Sequence, residues 1–229
     1  MVRIVPIQNH GNQCFLNVII QSLFVCGGWI PSLMMNPKTD PTLDLLKMFV
    51  RMYYGATGSI SNALLLEVFK TRRIEVRPYE QNDASEYMLH LLHILTEYCP
   101  KELFNVDLEK DTESILCVQY SERLIESIMK RLEEQRVQNW PKYLHIHINR
   151  YNERMQKIHD PIECPIRWDW YELRASIVHI GGERNGHYVI FVRDNDNYIM
   201  IDDERIQLMD EERFMHGIRQ SYMVVYERN

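Results

Sequence analysis

"GHYVIFVRDNDNYIMIDDERI", residues 186–206, places two runs of β-forming residues on either side of the turn-rich "DNDN" and ends the second run on paired acids. Asp and Asn between apolar runs are a hairpin signal. With a loop of two or four residues centred on Asn195 and Asp196, His187 and Asp202 share a face and lie diagonally opposite each other. Asp203 then points to the other face; a three-residue loop reverses the choice of acid. The polar loop before this stretch, from Gly181, delivers His187 to the start of its strand. Histidine is the side chain whose ordinary pKa lies nearest neutrality, so one set beside an acid is a candidate general base. Most of the nine histidines in such a chain are structural or exposed, and the pairing is what singles out His187.

A base calls for a nucleophile. In "IQNHGNQCFLNVIIQSLF", residues 7–24, one cysteine stands between a polar turn and an apolar run. Leu16, Ile19, Ile20 and Leu23 fall at helical spacing, and Gly27 and Gly28 stop the run. Asn9, His10, Gly11 and Asn12 are turn and cap residues, so the helix begins close to Cys14. A thiol there meets the partial positive charge of unpaired backbone N–H groups, which favours the reactive thiolate. Cysteine is also a small hydrophobe that is commonly buried, so Cys14 needs the histidine to be read as catalytic. The order Cys, His, Asp is that of papain-like enzymes, with nucleophile and base on two lobes and a third group orienting the base.

Composition agrees with an enzyme of this kind. A chain of 229 residues with 45% hydrophobic content can bury a core as one domain or two packed lobes. No secretory leader is expected at the N-terminus, and no segment approaches the roughly 20 apolar residues of a membrane span. Five widely spaced cysteines (Cys14, Cys26, Cys99, Cys117, Cys164) do not form a disulfide framework, and none pairs as CxxC. An intracellular chain, cytoplasmic or nuclear, with no metal and no cofactor is expected. A net charge of −6 with scattered Lys and Arg argues against a nucleic-acid groove and points to a protein partner.

Organisation changes once along the chain. Helical periodicity marks Pro41 to Tyr54, Ser61 to Thr71, Asp83 to Tyr98, and Ser121 to Arg136 as one amphipathic helix. After Trp140 strands dominate: "KYLHIHINRY", "YELRASIVHI", "HYVIFVRD" and the closing "SYMVVYER". This is an α+β arrangement with a helical lobe followed by an antiparallel β lobe, and a cleft between lobes is a common place for a site. "EKDTES", residues 109–114, reads as a solvated turn.

Five blocks in order resemble the ubiquitin-specific proteases. "GNQCFLN" is similar to that family's cysteine motif GNTCYMN, and "QNDASEYMLHLL" (81–92) to its QQDAHEFLLYLL helix. "GHYVIFVRD" with "YIMIDDERI" resembles its histidine motif. "PKYLHIHINRY" and "SYMVVYER" are similar to LPKVLIIHLKRF and AYLLFYER. The resemblance implies a papain-like cysteine protease fold with a helical thumb and a β palm, acting as a single catalytic domain over 1–229. Within it, the helical lobe covers about 1–100, a linking region with reduced fingers about 101–140, and the β lobe about 141–229.

It also implies roles: Cys14 as nucleophile, His187 as general base, Asp202 as the acid orienting it, Asn9 as the oxyanion donor, and Asp203 as secondary support. Asp83, Glu86, Gly186 and Tyr188 are expected along the channel for ubiquitin's Leu-Arg-Leu-Arg-Gly-Gly tail. Asp83 and Glu86 also have the spacing of a helix capping box. The expected activity is hydrolysis of the (iso)peptide bond after the C-terminal Gly-Gly of ubiquitin by a monomer. A weakly active ubiquitin-binding scaffold, or a protease for a ubiquitin-like modifier, is the alternative. Many family members carry a zinc-binding fingers insertion with two CxxC pairs; Cys99 to Trp140 is too short for it.

Overall fold

Apolar residues run all round the helix that begins at the cysteine, and such a helix must be enclosed on every side. In the computed structural model, which describes residues 2–77, 80–133, 135–182 and 186–229, all twelve residues of α1 (Cys14–Val25) are buried. Burying Leu16, Ile19 and Ile20, each at most 1% exposed, contributes about 1.5–3 kcal/mol apiece. Gly28 ends this region: its N–H donates to the Tyr143 hydroxyl at 2.9 Å, and a Cβ there would lie 2.3 Å from that oxygen.

The helical lobe continues with α2 (Ile30–Met35), α3 (Pro41–Gly55), α4 (Ala63–Thr71) and α5 (Ala84–Thr96), each within a few residues of its expected span where one was expected. Local chemistry sets the starts: Asp40 accepts from the Leu43 N–H at 3.1 Å with Pro41 at the first position of α3. No single helix among the described residues is long and apolar enough to cross a membrane. Only α1 taken with the following segment to Met35 passes that test as a pair, bent by 69°.

The second half comprises β1 (Val106–Leu108), β2 (Thr112–Glu113), β3 (Leu116–Gln119), α6 (Leu124–Arg131), β4 (Val137–Asn139), β5 (Tyr143–Asn149), β6 (Arg167–Trp168), β7 (Tyr171–Gly181), β8 (Gly186–Asp194), β9 (Asn197–Asp202), β10 (Arg205–Met209), α7 (Glu211–Ile218) and β11 (Ser221–Arg228). The large sheet runs β10-β9-β8-β7-β11-β5-β3, with β6 beside β7. One face packs on α1 and the helical lobe, and the other encloses a second core with α6 and α7.

Two expectations need correction. The single helix over 121–136 is shorter: α6 spans Leu124–Arg131, and the Arg136 carbonyl already accepts from the Glu109 N–H at 2.9 Å ahead of the ladder that Val137–Asn139 forms with β1, because that ladder offers backbone partners that a solvent-exposed helix end lacks. Position 134 lies outside the described residues. "EKDTES" is not all turn, since its Thr112 and Glu113 form β2 against β1. The named strands of the β lobe, β5 to β11, pair antiparallel as expected; the linking region adds β3, which runs parallel to β5, with α6 in the long crossover that a parallel pair requires. The polar loop expected before His187 falls partly on 183–185, outside the described residues.

Arg150, at the end of β5, is 2% exposed and ties the sheet to two loops. Its guanidinium donates to the carbonyls of Ser221 (2.8 Å), Ile158 (2.9 Å), Asp160 (3.0 Å) and Arg219 (3.1 Å). A lysine ammonium cannot reach four acceptors spread around a planar fork. Arg150→Lys is therefore expected to cost about 3 kcal/mol in urea unfolding, from buried carbonyls left without donors; an unchanged midpoint would show that these carbonyls do not depend on the guanidinium.

Candidate active site

The turn before α1 is built on Asn9. Its Oδ1 accepts from the N–H groups of Gly11 and Gln13, both at 3.1 Å, while Gly11 (φ 105°) and Asn12 (φ 51°) take left-handed backbone suited to those residue types. Gln13 makes no side-chain cap to the helix, so the helix N-terminus stays directed at Cys14, its first residue. The thiol is buried at 6% exposure.

The hairpin closes with a two-residue turn. Asp194 pairs with Asn197 and Ile190 with Ile201, and Asn195 adopts φ 55°, as the favoured tight hairpin turns require at their first position. His187 therefore lies diagonally from Asp202, and its Nε2 donates to Asp202 Oδ1 at 2.6 Å. That bond leaves Nδ1 for the thiol. The hydrogen bond with Cys14 pushes His187 up most; burial opposes it, Asp202 adds to it, and the imidazole is raised to about 9. A second histidine on the palm behaves oppositely. Burial first, then the Lys157 ammonium bonded to its Nδ1 at 3.1 Å, push His179 down to about 4. Of the two imidazoles, only His187 is held as a cation beside a thiol at neutral pH.

The neighbouring acid serves a different group. Asp203 (φ 53°) occupies the turn into β10, and its carboxylate reaches back across the lobes. Oδ2 accepts from Asn9 Nδ2 at 2.8 Å and Oδ1 from Asn17 Nδ2 at 2.7 Å. Among the described residues, His187, Asp202 and Asp203 form the His/Cys/Asp/Glu group tight enough for a metal ion, with one ligand atom each within 4.8 Å of the others. His187 and Asp202 are bonded to each other there, and both oxygens of Asp203 accept from asparagine amides.

The four residues expected along a channel fall around the start of α5 and the start of β8. Asp83 caps α5, accepting from the N–H groups of Ser85 (2.7 Å) and Glu86 (3.2 Å) on Oδ1. Its Oδ2 accepts from the Tyr222 hydroxyl at 2.6 Å. Glu86 is exposed, with His90 at 4.0 Å. The Tyr188 hydroxyl accepts from the Ala84 N–H at 3.4 Å, joining palm to thumb. Gly186 has no room for a side chain: a Cβ would sit 1.9 Å from His179 Nε2. Asp83, Tyr151, His179, Tyr188 and Tyr222 line a cavity of about 220 Å³ here.

Sequence reading missed four participants. The Gln81 carboxamide brackets Gly186, accepting from its N–H at 2.9 Å and donating to its carbonyl. His179 and Tyr222 lie in segments that show only strand periodicity, and Asn17 looks like one more residue of an apolar helix. A polar side chain within the stripe of a buried helix was the available signal for Asn17.

A family model described as ubiquitin carboxyl-terminal hydrolase (UCH) matches residues 5–226. Ubiquitin carboxyl-terminal hydrolase 4 of Arabidopsis thaliana is 27% identical over 116 residues, 47% of this chain and 32% of that protein. The chain thus matches about a third of that curated relative's length. Among solved structures, the SAGA DUB module of Ubp8, Sgf11, Sus1 and Sgf73 bound to monoubiquitin superposes with a TM-score of 0.79 at 17% identity, over 99% of this chain and 69% of that one. The Ubp8–Sgf11–Sgf73–Sus1 SAGA DUB module gives 0.77 at 18% identity, over 99% and 68%. At these identities the likeness establishes the fold.

Since Cys14 and Asp202 both raise the His187 pKa, removing either must lower it. Imidazole NMR should show His187 titrating near 9 in the unaltered protein, at lower pH in Asp202→Asn, and lower still in Cys14→Ala. A His187 that titrates at its ordinary value in the unaltered protein would contradict the coupling.

Proposed function

Because this chain belongs to the ubiquitin carboxyl-terminal hydrolase family, we propose that it is a deubiquitinating cysteine protease that hydrolyses the (iso)peptide bond after the C-terminal Gly-Gly of ubiquitin. The observation that carries the reading is one series across the lobes: Cys14 at the start of a buried helix, electrostatically coupled to His187, whose Nε2 meets Asp202 Oδ1 at 2.6 Å. The proposal includes ubiquitin or ubiquitinated proteins as partners, a monomer as the acting form, and an intracellular compartment, cytoplasmic or nuclear. Five free thiols suit a reducing compartment.

The chemistry follows from these atoms. With its proton passed to His187, the Cys14 thiolate attacks the carbonyl carbon of the terminal glycine, and the C=O π electrons move onto oxygen. The Asn9 amide, held by Asp203 at 2.8 Å, donates to that oxyanion; a donor of this kind contributes about 3 kcal/mol to barrier reduction. The His187 imidazolium gives its proton to the leaving lysine amine as the C–N bond breaks, leaving a thioester. A water then loses a proton to His187 and attacks the thioester, the C–S bond breaks, and Cys14 and the ubiquitin carboxylate are released.

For recognition, we assign Gly186 and Tyr188 to the channel that admits the paired glycines, and Glu86 and Asp83 to the arginines of the tail. Glu86 is the freer carboxylate, since both oxygens of Asp83 are already bonded to the helix start and Tyr222. Tail arginines pair best with an exposed carboxylate that gives up no internal bond.

Ubiquitin carrying a C-terminal electrophile, offered beside several ubiquitin-like proteins treated alike, should yield a covalent adduct at Cys14 with ubiquitin. No adduct with any of them would remove the proposal, and an adduct only with another modifier would move it to that modifier. On a ubiquitin substrate, Cys14→Ala should abolish turnover and Asp202→Asn should lower kcat by roughly two orders of magnitude or more. Glu86→Lys should raise KM more than it lowers kcat, because that contact forms before the chemical step.

A further inference from the structure

Asn17 stands one turn after Cys14 and is 2% exposed. Its Nδ2 faces three acceptors, Asp203 Oδ1 at 2.7 Å and the carbonyls of Ile7 and Gln8 at 3.3 Å each. An amide oxygen placed there would confront a carboxylate and two carbonyls with no hydrogen between them, so this orientation is dictated. Asn17 Oδ1 must then point the opposite way, into the interior, where it needs a donor. Asn62 Nδ2 supplies it at 2.9 Å.

Asn62 is 1% exposed and directly precedes α4, yet its side chain makes no cap to that helix. Its own Oδ1 has no partner among the described residues. An asparagine at a helix start ordinarily directs its oxygen to the helix N–H groups; this one turns its amide to the core side of the site instead. Beyond Asn17 the series continues through both oxygens of Asp203 to Asn9, whose Oδ1 is committed to Gly11 and Gln13 and whose Nδ2 meets Asp203. Every amide in the series has one orientation, and each depends on the next.

We propose that Asn62 and Asn17 are positioning residues for the oxyanion donor: Asn62 locks the Asn17 amide, Asn17 fixes one oxygen of Asp203, and the other oxygen of Asp203 holds Asn9. This rests on the role given to Asn9 above and extends the machinery of the site to a residue on α4's threshold that touches neither substrate nor thiol. Asn62→Asp is close to isosteric but sets an acceptor against Asn17 Oδ1. Asn17 is then caught between acceptors on both sides, Asp203 with the Ile7 and Gln8 carbonyls on one and the new carboxylate on the other, so it can no longer hold Asp203, and through it Asn9, in one arrangement.

Two reactions of Cys14 separate this role from general loosening. Hydrolysis develops an oxyanion; alkylation by iodoacetamide displaces iodide and develops none, so it reports only the thiol and His187. In folded Asn62→Asp, kcat for a ubiquitin substrate should fall about tenfold or more, as expected of a displaced rather than deleted oxyanion donor. KM and the alkylation rate should stay within about twofold, since the thiol pair and the tail contacts are untouched. An unchanged kcat, or an alkylation rate falling in step with kcat, overturns the proposal. If Asn62→Asp does not fold, Asn62→Ser and Asn62→Ala decide it: the hydroxyl can still donate to Asn17, so the serine variant should keep the higher kcat, and equal values overturn the proposal. If no ubiquitin substrate is cut, the same comparison on a p-nitrophenyl ester reads the relay alone. An ester kcat that falls without the alkylation rate then supports the relay while the ubiquitin assignment fails.

Discussion

The left-handed residue at Asp203 sends two adjacent carboxylates to different work. With φ at 53°, the chain reverses between Asp202 and Arg205; Asp202 meets His187, and Asp203 turns to the loop and helix that carry Cys14. Asp and Asn are the non-glycine residues that accept this backbone most readily, so the same side chain that tolerates the turn also spans the two lobes. If the reversal were moved by one residue, a single acid would have to serve both the imidazole and the amides. The charge that orients the base and the charge that orders the nucleophile's loop would then no longer be separate.

Separation of the lobes makes this division necessary. Cys14 comes from a helix enclosed by apolar packing, His187 from a strand in a twisted sheet, and only buried contacts between α1 and β8 bring them into register. Close packing holds such distances because an interior without voids resists small displacements. Polar bonds then define direction within that frame. The Ile7 N–H to Asp203 carbonyl contact at 3.3 Å, and the Asn9 and Asn17 amides on the same residue, tie the loop before α1 to the end of β9. The loop that carries the thiol is thereby tied to the end of the strand whose Asp202 holds the imidazole.

Much of this was legible in the sequence, and the reason differs from place to place. The DNDN turn and the alternation on either side narrowed the acid to Asp202 or Asp203, and the observed two-residue turn decides it for Asp202. The α1 stripe was visible for the same reason that α1 is buried. By contrast, Ser121 to Arg136 carries helical spacing throughout, yet the helix stops at Arg131 and the chain goes on to pair with β1 from Val137, because a ladder partner distant in sequence outweighs local propensity. α7 went unread although Asp210 accepts from the Arg213 N–H at 2.8 Å and Glu211 and Glu212 follow, a helix start hidden by the strands around it. Asn17 left a signal in its helix, but its link to Asn62 was beyond reach: forty-five positions separate them along the chain, and only the fold reveals that one completes the other.

What remains of the fingers region changes how the proposed substrate would be held. Among the described residues of 101–140 stand a short 3-10 turn at Lys101–Leu103, the small β2-β1-β4 sheet, β3 and α6, and α6 turns its apolar side to the second core behind the sheet rather than outward. On the proposed reading, little of this segment would embrace a globular partner, and affinity would be concentrated where the lobes converge. There the palm and thumb already touch, through Tyr188 to Ala84, Tyr222 to Asp83 and Gln81 to Gly186. An extended chain entering between them would have to replace the Gln81–Gly186 pair with its own backbone bonds. A primary amide and a peptide group offer the same donor and acceptor, so the exchange is nearly balanced in hydrogen bonds. The selectivity of entry then falls on size: the His179 ring fills the space beside Gly186 that a side chain would need, and glycine is the residue that passes such a constriction with the least displacement of its walls.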